Sequence, residues 1–315
     1  MTGNTLFIYP RRGLYLITRC SNCNHTYQCN NCDANLVTYK KWEKNLELVC
    51  HQCQSYYSYP TQCENCGENG ISSFIGGIDK LAQEIKTITD VEPTRLDNKR
   101  LKPDFSKKDH PFVTTRVYDP AIDYSVMSKV ILIAADNLLS SPDYMVMEET
   151  IKNLTELILA TPQTSNIIFD TKDLENEFFT KVVSICNQPS STYKEVLNWY
   201  REFLTSESNI RDKYGFPPYK NLILVTSQLK NRQKSIDNIN DFKRILDRYR
   251  LEKFPEISVS SSYPARFLRR KNHYSYHLLI KYPKQYKNFF NLRNVIKNEA
   301  SRIGLQVRLN PKNLF

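Results

Sequence analysis

Chemistry concentrates between Cys20 and Cys66, where eight of the nine cysteines form four Cys-x-x-Cys pairs: Cys20/Cys23, Cys29/Cys32, Cys50/Cys53 and Cys63/Cys66. A two-residue gap lets one tight turn aim both sulfurs at the same ion. A tetrahedral zinc ion takes four thiolates, so four pairs complete two sites. The gaps between pairs are 5, 17 and 9 residues. Five residues are too few for a hairpin of their own. Seventeen suit one, with Leu36 and Tyr39 on one arm, Leu46 and Leu48 on the other, and Lys40 to Asn45 at the tip. The spacing therefore favours nesting, with Cys20, Cys23, Cys63 and Cys66 around an inner set of Cys29, Cys32, Cys50 and Cys53. Pairing of neighbours in sequence is the alternative. Closed sites of this kind are structural, each worth on the order of ten kcal/mol of folding free energy in isolated peptides.

Other uses of these cysteines fit less well. A disulfide framework belongs to secreted domains, and no stretch here reads as a signal peptide. A redox role for one pair leaves the other three unexplained. His25 and His51 stand beside ligand cysteines and read as hydrogen-bonding neighbours. Cys186, on a helical face near Val182, reads as a small core residue.

The elements around the cysteines follow from periodicity. Thr5 to Tyr9 and Leu14 to Thr18 read as strands flanking a Pro10-Arg11-Arg12-Gly13 turn, which makes the cysteine module an insertion. Phe74-Ile75 is a short strand, and Ile78, Leu81, Ile85 and Ile88 mark one helix face. Strands follow at 91–96, 112–118 and 129–135. Ser141-Pro142-Asp143 starts a helix, Ile167 to Phe169 is a strand, and helices cover 173–186 and 192–213. Strand and helix alternate, so this part is α/β with a mostly parallel sheet. Tyr214 to Tyr219, with its Pro-Pro, is a boundary. Beyond it, strands at 222–226, 257–260, 276–281 and 305–309 with helices at 236–249 and 284–299 give a small ferredoxin-like α+β pattern. The domains are thus 1–19 with 67–213, the inserted 20–66, and 214–315.

The net charge of +11 is unevenly spread. Residues 1–210 carry 21 basic and 26 acidic side chains, whereas residues 211–315 carry 23 and 7. Only the last third offers a phosphate-binding face by net charge. The basic stretch from Asp97 to His110, with Lys99, Arg100, Lys102, Lys107 and Lys108, reads as a solvated loop with nucleic-acid contact as the alternative. The longest strongly apolar run, Val130 to Ala135, is far short of the roughly 20 residues that cross a bilayer. A cytoplasmic, nucleoid-associated protein with no membrane role is expected.

These features resemble one family, the primosomal replication-restart helicases (primosomal protein N′, PriA), in the C-terminal half. The likeness lies in Tyr9-Pro10-Arg11-Arg12-Gly13 ahead of four Cys-x-x-Cys pairs, in Leu139-Ser140-Ser141-Pro142-Asp143-Tyr144, and in Gly215-Phe216-Pro217-Pro218-Tyr219. It continues in the basic-aromatic run from Arg269 to His277. The resemblance implies a second RecA-like helicase lobe carrying the two-zinc insertion in nested pairing, followed by a C-terminal DNA-binding domain. The departures bear on activity. The chain has no Gly-x-x-x-x-Gly-Lys-Ser/Thr and no Asp-Glu-x-His, so the nucleotide-binding lobe is expected to be missing. Ala160 to Ser165 stands where the family's Gly-Arg-Ala-Gly-Arg would supply arginines to a transferring phosphoryl group. No catalytic residue is assigned.

The expectation is a zinc-containing DNA-binding protein of replication restart and primosome assembly, with two zinc ions per chain. Its DNA contacts fall on Arg266, Arg269, Arg270, Lys271, His273, Tyr274 and Tyr276, since cations bind phosphates and interleaved aromatics stack bases. A solvated strand edge is the bland reading of the same run. Forked or single-stranded DNA, single-stranded-DNA-binding protein and other primosome proteins are the implied partners. Two alternatives are a subunit of a split ATP-dependent helicase and a zinc-stabilised adaptor between replication proteins.

Overall fold

A computed structural model describes residues 3–40, 45–97, 103–141, 143–186 and 193–314. The hairpin tip at 41–44, Lys99, Arg100, Lys102 and Pro142 lie outside the described residues. The chain opens on β1 (Asn4–Ile8), buried along its whole length. It then leaves for an antiparallel sheet of β2 (Tyr15–Cys20), β3 (Val37–Lys40), β4 (Leu46–Val49), β5 (Tyr56–Ser58) and β6 (Ile71–Gly76), in the order β5-β4-β3-β2-β6. Both strands flanking the cysteines pair with this sheet and not with the parallel one. Each is only partly buried, which an antiparallel sheet tolerates and a doubly covered parallel sheet does not. Thr18, Thr38 and Ser73 join hydroxyls at its centre, at 2.9 to 3.3 Å.

The excursion closes where it began. Gly77 N–H donates to Leu14 O at 2.9 Å and Ile78 N–H to Arg11 O at 2.8 Å. A Cβ on Gly77 would lie 2.3 Å from Gly13 O, so only glycine allows the two ends to touch. Helix α1 (Ile78–Thr89) then lays Ile78, Leu81 and Ile85 on Phe7 and Val113. Ile88, the fourth member of its apolar stripe, stays exposed in the last turn.

The chain continues through β7 (Thr94–Arg95), β8 (Pro111–Thr114), β9 (Met127–Leu132), α2 (Val146–Ala160), β10 (Asn166–Phe169), α3 (Glu177–Cys186) and α4 (Tyr193–Tyr214). These strands and β1 form an all-parallel sheet ordered β10-β9-β1-β8-β7. Its core joins Leu6, Phe112 and Val130 to Leu154, Leu157 and Trp199. Strand β9 stops short of the expected Ala135 because Ala134 turns left-handed and a 3-10 turn begins. Helix α2 starts at Val146, later than expected, because Asp143 instead accepts the Leu314 amide at 2.7 Å.

The last third is β11 (Lys220–Leu229), α5 (Arg232–Glu252), β12 (Ser258–Val259), β13 (Tyr263–Arg270), β14 (His273–Pro283), α6 (Phe289–Ile303) and β15 (Gln306–Leu309). Its antiparallel order β12-β14-β11-β15 is ferredoxin-like, elaborated by β13 on β14. Residues of α5 and α6 such as Phe242, Leu246, Leu292 and Ile296 cover Ile223, Val225 and Leu278. Among the described residues no helix is long and apolar enough to cross a membrane.

Arg211 pins the junction between the parallel part and the last third. Its buried guanidinium meets Glu207 at 2.8 Å and Glu148 at 2.7 Å, and donates at 3.4 Å to the carbonyls of Tyr144 and Pro217. Removing one partner of a buried pair leaves the others uncompensated. Arg211→Ala is expected to lower the unfolding free energy by about 3 to 5 kcal/mol in urea titrations. A loss under about 1 kcal/mol would show that solvent screens the cluster.

Candidate metal centres and the hairpin docked on them

Each Cys-x-x-Cys pair sits on the same backbone turn. The N–H of its first cysteine donates to the carbonyl five residues later, Cys20 to His25, Cys29 to Ala34, Cys50 to Ser55 and Cys63 to Glu68, always at 2.9 Å. In three turns the residue after the second cysteine also donates back to the first: Asn24 to Cys20 at 3.0 Å, Gln54 to Cys50 and Gly67 to Cys63 at 2.8 Å. These three residues are left-handed, with φ of 59°, 65° and 77°. Small or amide-bearing residues tolerate that region best, which suits Gly67 and Asn24. The turn at Cys29 is different. Asp33 is not left-handed, and its N–H donates to Arg269 O at 3.0 Å. Strand β13 of the last third completes this turn.

The turns bring Cys20, Cys23, Cys63 and Cys66 together, and likewise Cys29, Cys32, Cys50 and Cys53, with the sulfurs of each group within 4.8 Å of one another. The first pair thus meets the fourth and the second meets the third. The S···S separations are 3.7 Å for Cys20/Cys66, 3.6 Å for Cys23/Cys63 and 3.5 Å for Cys29/Cys53. A tetrahedron with 2.3 Å metal–sulfur bonds has edges of about 3.8 Å. Disulfides, at about 2.05 Å, are excluded at these separations.

Donors surround the sulfurs as an anionic thiolate requires. Asn65 and Asn22 side-chain amides point at Cys23 and Cys66 at 3.5 and 3.7 Å, and the Asn31 and Lys271 backbone N–H groups at Cys29 and Cys32, both at 3.4 Å. The Tyr57 and Ser55 hydroxyls lie 3.2 and 3.1 Å from Cys29 and Cys53. The Asn65 bond, helped by the His25 backbone, brings the Cys23 thiol down to about 6. Burial opposes ionisation of Cys53, but Ser55 overrides it and brings that thiol to about 6. Burial pushes Cys50 up to about 12. An apo site would thus keep a proton there, and a divalent cation would expel it. The donor set and spacing fit zinc.

His25 Nε2 lies 2.9 Å from Glu64 and His51 Nε2 2.8 Å from the Tyr39 hydroxyl, so both histidines are neighbours of the tetrads. Cys186 packs against the parallel-sheet core, and burial holds its thiol at about 12.

The basic-aromatic run forms the β13–β14 hairpin, whose tip rests on the inner tetrad. Arg269 donates through N–H and Nε to the Asp33 carboxylate at 2.9 and 3.1 Å and through Nη1 to Asn30 O at 3.1 Å. Arg270 Nε reaches Gln52 O at 3.1 Å, and Asn272 pairs with Asn31 through backbone at 2.8 Å and side chain at 3.0 Å. Lys271 and Asn272 turn the hairpin in the left-handed region. His273 Nδ1 lies 2.8 Å from Lys271 O, and Tyr274 is half-buried. Tyr276 is buried in the last third's core, where its hydroxyl accepts from Arg232 Nε at 3.1 Å, and this removes it from the residues able to stack on a base. Arg266 stands apart, exposed, with Nη1 3.4 Å from Ser141 Oγ. Spacing alone did not reveal that Arg269 is spent on Asp33. The only sequence hint was an acid directly after Cys32.

A parallel α/β unit interrupted by a sheet bearing two Cys₄ tetrads, and followed by a basic ferredoxin-like unit, defines the class of protein. Over nearly its whole length the chain is similar to part of the replication restart proteins PriA. It is 24% identical to that of Synechocystis sp. over 97% of this chain and 37% of the relative. It is 22% identical to that of Bacillus subtilis over 96% and 37%, and 24% identical to that of Thermotoga maritima over 78% and 33%. The chain therefore spans about a third of the length of these relatives. No family profile matches it.

Asp33→Ala is expected to free the hairpin tip. Amide hydrogen exchange at Arg269, which loses its carboxylate acceptor, should rise about tenfold, as for the loss of one hydrogen bond to a charged group. Exchange at Cys20 and Cys63 should stay unchanged.

Proposed function

We propose that the chain is a zinc-containing DNA-binding protein of replication restart and primosome assembly, with one zinc ion in each tetrad. Two nested Cys₄ tetrads in a chain that aligns over 97% of its length with a replication restart protein support this reading best. The metal is structural: four protein sulfurs fill its coordination sphere and leave no open position for a substrate. The ions hold together an insert whose own apolar cluster is small, much of it made of the ligand cysteines and their neighbours.

DNA contact falls to the basic last third. Phosphates repeat along any strand and stacking accepts any base, so such contacts are indifferent to sequence. Arg266, Arg270, Lys271, His273 and Tyr274 are the proposed contacts near the hairpin, with Arg269 recast as the residue that positions it. We take the chain as three functional parts, the parallel unit as scaffold, the cysteine sheet as insert and the basic unit as DNA reader. A cytoplasmic setting follows from this role, as do contacts with other primosome proteins.

Three outcomes are expected. Elemental analysis of the purified chain should find two zinc ions, and one or none would sink the metal assignment. Fluorescence anisotropy with single-stranded, duplex and forked oligonucleotides should show affinity falling with salt. With about four to six neutralised phosphates, the slope of log affinity against log salt should be roughly −3 to −5. A flat profile would favour the adaptor reading. The 315-residue chain alone should turn over no ATP with or without DNA, because it carries no phosphate-cradling Gly-Lys-Ser/Thr loop.

A further inference from the structure

Between the inner cysteine turn and the last sheet lies a groove of about 470 Å³. Three guanidinium groups line it, those of Arg266, Arg270 and Arg308, and among the described residues no carboxylate does. Asp33 is paired with Arg269, and Asp143 accepts the Leu314 amide. Arg308 sits in the β15–β11 ladder, and among the described residues its side chain forms no ion pair or hydrogen bond. Among the described residues Arg270 is held through Nε, on Gln52 O, and Arg266 through one Nη, on Ser141, which leaves further N–H groups of each for a ligand.

Neutral hydrogen-bonding groups make up the floor. Thr226, Ser275 and His277 are buried there, with Thr226 Oγ1 2.9 Å from His277 Nδ1. Burial first, and Arg308 second, bring His277 down to about 4, so it adds no charge of its own. Gln52, Gln228, Gln306 and Asn313 complete the rim. Three like charges around one space repel until an anion sits among them. The planar guanidinium fork matches the oxygens of a phosphate.

We infer that this groove binds a phosphate group, supplied by the backbone of a nucleic-acid strand running between the cysteine module and the last sheet. The choice of a strand rests on the DNA-binding reading above. Free phosphate or pyrophosphate is the other source of the same chemistry. Arg308 is the residue that the basic-aromatic run does not contain, contributed by β15 from the far edge of the sheet. Gln52 belongs to an inner Cys-x-x-Cys turn. A phosphate held here touches both units and would clamp them together.

The test uses the full chain and a fluorescein-labelled oligo(dT) across salt concentrations. Arg308→Ala should flatten the salt slope by about 0.7 and weaken binding about fivefold at 0.1 M salt, the effect of one lost single-strand contact. Arg308→Lys, which keeps the charge on an exposed strand, should restore both. Millimolar pyrophosphate should compete with the oligonucleotide on the native chain and lose that effect in Arg308→Ala. If the native chain binds oligo(dT) but Arg308→Ala and Arg266→Ala leave slope and affinity untouched, the groove assignment is overturned and the DNA reading stands. If oligo(dT) does not bind while pyrophosphate shifts the His277 ring signals in NMR, in an Arg308-dependent way, the groove is a free-phosphate site. The DNA reading is then what fails.

Discussion

Thiolates gathered within a few ångströms repel one another unless a cation sits among them, and this chain gathers two sets of four. The inner set carries more than its own fold. It joins residues 29–32 to residues 50–53 across a hairpin, and the surface so formed is where residues 269–272 dock. Without that closure the Asn30, Asn31 and Gln52 carbonyls would have no common position. The hairpin of the last third would then lose its seat. One cysteine tetrad thereby sets the relation between two units more than two hundred residues apart in sequence.

The turn at Cys29 shows how this coupling is built. Three of the four turns satisfy themselves with a left-handed residue and a bond back to the first cysteine. The fourth leaves its Asp33 N–H free for a partner and finds one in Arg269 O. The Arg269 carbonyl supplies an acceptor that this turn itself does not. The Asp33 carboxylate strengthens this contact, because a charge-assisted bond to guanidinium is stronger than a neutral one. One arginine of the basic run is thereby occupied within the protein.

The arginines at the docked hairpin and at the junction are thus divided between two uses. Arg269 faces inward to the cysteine turn and Arg211 is buried at the junction, both neutralised by acids. Arg266, Arg270 and Arg308 face a groove without any among the described residues. A polyanion is the simplest partner for a surface that keeps its cations apart from its carboxylates. The division is geometric: β13 and β15 reach the same side of the sheet through β14 and β11, although they are far apart in the chain.

Local physics made much of this legible in the sequence. The Cys-x-x-Cys spacing reads directly because a tight turn across two residues aims two sulfurs at one ion, and a 17-residue gap holds a hairpin. Helix faces such as Ile78, Leu81 and Ile85 follow from the period of 3.6, and the ferredoxin-like order of the last third from its alternation of strand and helix. What depends on distant partners was hidden. Strands β2 and β6 look like parallel-sheet strands until their half-buried faces find each other. Tyr276 looks like a base-stacking aromatic until the strand's alternation and the helices above it bury the ring. Arg269 looks like a phosphate ligand until Asp33, 236 residues away, takes its charge. Residue type and spacing decide which chemistry a side chain can perform. Only the tertiary fold decides whether that capacity is used on the protein itself or left for a ligand, because pairing and burial are settled between groups that the chain does not place side by side.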